Sequence, residues 1–173
     1  MTVAPSPTNT QPAWVKALGP GVTVIDSSSA TADDGSPAGT FLTVVKDMQS
    51  GHFVEMCSVI EPSQQASCKS ELGSVSAAFL KSEMPTFKNT VTPYTAVDGD
   101  EALVGSTGSV CAPNANPSKC STNTDPAAIF DSGKSFASLW KETVNSGTSN
   151  SNAYALNPLI KVNGVWYGYS LSF

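Results

Sequence analysis

Asp47 and His52 lie five residues apart in "KDMQSGHF", and Asp98, Asp100 and Glu101 crowd together in "VDGDE". A carboxylate beside an imidazole is the smallest arrangement that can run general acid–base chemistry near neutral pH. Three neighbouring carboxylates offer the hard oxygens a calcium ion takes. Both groups have a plainer reading. Asp47 falls at the end of a helical pattern and faces solvent, with His52 opening the next turn. The acidic trio surrounds a glycine and makes a turn. Tyrosine hydroxyls can orient a ligand in an apolar pocket, and Tyr94 and Tyr154, together with Trp166, are the candidate ligand-contacting residues. Tyr167 and Tyr169 are read as wall residues. No Gly-x-Ser-x-Gly elbow is present, and a Ser–His–Asp triad would have to recruit the sole histidine. "GSTGS" lacks the following helix that a phosphate cradle needs. The sequence therefore assigns no catalytic residue, no metal site and no cofactor.

The four cysteines form two close pairs, Cys57 with Cys68 and Cys111 with Cys120. Neither pair has the Cys-x-x-Cys spacing of a zinc knuckle or redox motif. Of the three possible connectivities, proximity favours two local disulfides, 57–68 and 111–120, as in a secreted protein. Each would contribute about 2–3 kcal/mol on the chain-entropy estimate.

Composition narrows the partners. The net charge is −5, and all nine cationic side chains are Lys. Without the arginine fork or a lysine cluster, nucleic acid and anionic membrane surfaces are excluded as partners. No apolar run is long enough to span a membrane. Residues 1–13, "MTVAPSPTNTQPA", read as a flexible stalk behind an added start Met. Such a stalk suggests a surface-tethered protein whose lipid anchor, if it has one, sits on a residue not in this chain.

Residues 14–35 read as a partly ordered lead-in, with a short strand around Val22, Val24 and Ile25 and with Trp14 packed on the domain. Residues 36–173 form the single main domain. "SPAGTFLTVVKDMQSG" has both ends of a helix: Ser36 as cap, Pro37 in the first turn, Gly51 as stop. Phe41, Val44, Val45 and Met48 line one face of it. "HFVEMCSVI" is a second short helix, and a third runs from near Pro62 to Gly73, with "SAAFLKSEM" extending it. Strands follow on either side of "DGD", and Pro93 marks an edge or a bulge. The stretch 111–134 is loop-rich, then "SFASLWKETV" is an amphipathic helix with Phe136, Leu139, Trp140 and Val144 inward. In the closing "LIKVNGVWYGYSLSF", a two-residue turn at Asn163 and Gly164 sets Val162 opposite Val165, Ile160 opposite Tyr167 and Pro158 opposite Tyr169. Lys161 then meets Trp166. The face bearing Ile160, Val162, Tyr167 and Tyr169 is expected to be the core face.

The fold class is α+β: N-terminal helices packed on a curved, mainly antiparallel sheet. This order resembles the cone-shaped fold of nuclear transport factor 2 and the cystatin-like superfamily, and in particular the secreted lipoproteins of actinobacteria that carry it. The likeness rests on "KDMQSGHFVEMC", the Cys57 and Cys68 pair, "TAVDGDEALV", "SFASLWKETV" and the final hairpin. It implies an extracellular or cell-surface domain that is non-catalytic, binding a small apolar ligand in the cone or serving as an accessory module. The alternative is a protein-contact module that uses the open sheet face around Trp166 and the loop 111–120, with a cell-envelope protein as partner or a homodimer through the sheet. An isomerase or cyclase is the third reading.

Overall fold

The computed structural model describes residues 12–111, 120–130, 133–145 and 156–169, and its main helix begins where the sequence signals it. Ser36 accepts a 2.9 Å hydrogen bond from the Gly39 amide, and Pro37 follows at the first turn of the helix Pro37–Ser50. Gly51 ends it in the left-handed region, φ 76°, where a side chain would be strained. In chain order the helices are α1 (Ala13–Leu18), α2 (Pro37–Ser50), α3 (Gln65–Gly73), α4 (Ala77–Glu83), α5 (Pro126–Phe130) and α6 (Phe136–Asn145). A 3-10 turn covers Glu55–Val59, where a short helix was expected. Nor does α4 extend α3. The helix stops at Gly73, residues 74–76 turn, and Ser76 caps α4 anew.

The strands are β1 (Thr23–Asp26), β2 (Thr86–Asp98), β3 (Glu101–Cys111), β4 (Cys120–Asn123), β5 (Leu156–Val162) and β6 (Val165–Gly168). They form one antiparallel sheet in the order β1-β2-β3-β5-β6, with β4 beside the far half of β3. The protein is thus α+β, with helices packed on an antiparallel sheet. Pro93 sits where its missing N–H costs least. It lies one residue beyond Tyr94, where β1 stops covering β2, and beside a register shift between Lys88 and Thr92. The lead-in supplies both α1 and the edge strand β1, and Trp14 stacks on Phe130 with ring centroids 5.9 Å apart.

Both faces of the sheet are covered. On one, Phe41 and Val45 of α2 pack with Ala102, Val104 and Leu159. On the other, Leu18, Ile129, Phe130, Phe136 and Leu139 of α1, α5 and α6 pack on Ala96 and Leu103. A third cluster contains no strand residue. Phe53, Met56, Cys57, Ile60, Cys68, Leu72, Leu80 and Met84 join the 3-10 turn to α3 and α4, with Val44 and Met48 of α2 against them. The single apolar face expected for α2 is therefore two: Phe41 and Val45 turn to the sheet, Val44 and Met48 to the outer helices.

The closing hairpin has the expected register: Val162 opposite Val165, Ile160 opposite Tyr167, Lys161 opposite Trp166. Its buried face is the other one. Leu159 is 2% exposed and packs under α2, whereas Val165 is 51% exposed and Tyr167 half-buried. Alternation shows which residues share a face. It does not show which face the longest helix will cover when both carry apolar side chains.

Candidate functional site

Tyr94 and Trp166 do not share a pocket. Tyr94 packs with the cluster under α1, α5 and α6; Trp166 packs beneath α2 on the opposite face of the sheet. Tyr154 lies outside the described residues, as do 112–119 of the second cysteine loop and 170–173 after the hairpin. Lys161 Nζ stands 5.5 Å from the Trp166 ring centroid, a cation–π contact that shields the indole. The Trp166 carbonyl lies 3.4 Å from Thr40 Oγ1 of α2, which donates to it. Tyr169 meets Trp140 edge-on at 5.7 Å.

The acid–base candidates are held by local structure. The His52 amide donates to the Asp47 carbonyl at 2.8 Å, a helix-end bond through the backbone, and the His52 side chain is exposed. Partial burial at the end of α2 pushes the Asp47 carboxyl above its ordinary range, against the opposing pull of His52 and Lys46. In the β2–β3 turn, desolvation and then the Asp98 charge raise Glu101. Asp98 pairs with Glu101 across that turn, and the Asp100 carbonyl accepts from the Lys161 amide at 2.8 Å. Among the described residues, no three His, Cys, Asp or Glu side chains gather to hold a metal ion. Both disulfides are formed, Cys57–Cys68 inside the outer helical cluster and Cys111–Cys120 across directly paired residues of β3 and β4. They fit a secreted protein. Among the described residues no helix is long and apolar enough to cross a membrane.

Buried hydroxyls are spent internally. Ser27 Oγ and Thr95 Oγ1 share a hydrogen bond of 3.0 Å beneath the edge strand, and Thr43 Oγ1 donates to the Gly39 carbonyl at 2.8 Å. Ser109 of "GSTGS" pairs with Thr122 across β3 and β4 at 2.6 Å. These hydroxyls join elements to one another.

The most exposed large apolar side chain among the described residues is one that the sequence reading passed over. Phe79 is 56% exposed, and Val75, just before α4, is 36% exposed. The helix geometry explains it. Leu80 and Met84 are four residues apart and occupy the inward stripe, so Phe79 is turned about 100° away from it. Residues 73–79, "GSVSAAF", are exposed throughout and carry no charge. A neutral apolar run before a capped helix is the signal for it, hidden when "SAAFLKSEM", residues 76–84, is taken to continue α3.

No known protein family, no curated protein and no solved structure matches the chain.

Proposed function

We propose that this is an extracytoplasmic, non-catalytic accessory domain that works by protein contact, with a cell-envelope protein as its partner. The observation that carries the reading is the uncharged, exposed stretch 73–79 with Phe79 at its end. Aromatic side chains dominate contact energetics when a partner covers them, and a neutral patch is what the centre of such an interface requires. Two disulfides suit an oxidising compartment. The ligand-in-cone alternative draws less support, because Tyr94 and Trp166 point to opposite faces of a sheet that has helices on both sides.

Intact mass under native and denaturing conditions, without reductant, separates the two readings. The contact reading expects the same mass in both. A native-only extra mass would show a retained small molecule and restore the ligand reading.

A further inference from the structure

The outer helices are attached differently from α2, the helix they pack against. Of the nine residues of α3 only Cys68 and Leu72 are buried, and of the seven of α4 only Leu80, whereas α2 buries seven of its fourteen. The cluster under α3 and α4 contains no strand residue. Polar ties to the body are made at the start of the layer. The Glu61 amide donates to the Gly168 carbonyl at 2.9 Å, and Gln64 Nε2 donates to the Tyr169 carbonyl at 2.9 Å. Gln65 Nε2 donates to the carbonyls of Ser58 and Ile60. The one covalent tie is Cys57–Cys68, joining the fully buried Cys57 of the 3-10 turn to the middle of α3.

We infer that α3 and α4 form a flap that opens as a unit while the sheet stays folded, and that the Cys57–Cys68 disulfide is the latch that keeps it closed. Local opening follows cooperative units with little burial of their own. A disulfide across this short loop restricts the opened chain far more than the closed one. The latch can be reached: a groove of about 250 Å³ alongside α3 is lined by Ile60, Gln64, Cys68 and Leu72 among others. A dithiol reductant entering there attacks the Cys68 sulfur, displacing the Cys57 thiolate. Its second thiol then closes on the mixed disulfide. Two protein thiols result, and the reductant leaves as its own disulfide, so two electrons and two protons are transferred. Opening of the flap does not require that α4 have a partner.

Hydrogen exchange on the full chain tests it without substitution first. In the oxidised protein, amides of α3 and α4 should exchange faster than those of β2 and β3 and depend less on denaturant. In the Cys57→Ala/Cys68→Ala chain, which keeps the second disulfide, flap amides should exchange about 100-fold faster still, the change expected from releasing a loop of this length. The β2 and β3 amides should keep the same margin of protection over the flap amides that they have in the oxidised protein. Equal protection of flap and sheet in the oxidised protein would overturn the inference. So would a double variant in which flap and sheet amides are equally protected.

Discussion

Helix α2 has two sides, and they face different kinds of neighbour. Inward, Phe41 and Val45 meet a sheet whose Ala102, Val104 and Leu159 are fully screened from solvent by strands paired on both sides. Outward, Val44 and Met48 meet a layer of two short helices whose own buried side chains are few. The inner contact draws on strands distant in sequence, so it forms only with the whole fold. The outer contact is local, within residues 44–84, and is closed by a disulfide rather than by area. Nearly the same apolar residue types thus serve a global core on one side of a helix and a removable cover on the other.

The largest test of that contrast is Leu159→Ala. It removes a fully buried side chain from the inner contact and should cost about 2–5 kcal/mol in urea unfolding. Tyr167→Ala, on the half-buried face of the same hairpin, should cost clearly less; a cost equal to that of Leu159→Ala would mean the two faces are packed alike. Gly39→Ala comes next, at about 1–3 kcal/mol. A methyl there would strike the Asp34 carboxylate and stand 2.9 Å from the Thr31 carbonyl, displacing the loop that caps α2 and so disturbing both of its sides. That carboxylate accepts from the amides of Thr31 and Ser36 at 3.0 and 2.9 Å. Leu80→Ala, in the outer layer, should shift the main unfolding transition by less than about 1 kcal/mol while speeding exchange in α4. A loss as large as that for Leu159→Ala would make the outer layer part of the global core.

The smallest effect is electrostatic, and its sign is definite. Burial raises Asp47 in the folded chain, so the native state holds that proton more tightly than the unfolded chain does. Its contribution is favourable at low pH and is lost as pH rises from the ordinary carboxylate range through the raised value. Asp47→Asn should therefore leave stability at neutral pH unchanged or slightly higher, within about 0.5 kcal/mol, and flatten that part of the pH profile. Asp34 runs the other way. Hydrogen bonding from Ser36 lowers it, so its contribution is present above the unfolded value and disappears as pH falls through the folded one. A destabilised Asp47→Asn chain at neutral pH would contradict the assignment.

Much of the inner region was legible in the sequence because its signals are local and redundant. Ser36, Pro37 and Gly51 bracket α2, the Asp-Gly-Asp turn joins β2 to β3, and the turn at Asn163 and Gly164 fixes the hairpin register. What was not legible depends on distant partners. α1, α5 and β4 are short pieces held by Trp14 on Phe130 and by the Cys111–Cys120 bridge, and their own four to six residues carry too little periodicity to announce them. The hairpin's buried face was set by where α2 lies, which no pattern inside the hairpin records. Of the candidate site, Tyr94 and Trp166 offer chemistry that either could supply alone, and only the sheet topology reveals that they face apart.

The most direct test follows the urea unfolding of the Cys57→Ala/Cys68→Ala chain by two probes at once. Trp14, Trp140 and Trp166 all report on the sheet and the helices packed directly on it, and no Trp lies in α3 or α4. Far-UV circular dichroism reports on every helix. The account predicts that helical signal is lost at lower urea than the indole signal, whose midpoint stays close to that of the oxidised chain. Coincident transitions, both moved to lower urea, would show that α3 and α4 belong to a single core and that no separable layer exists.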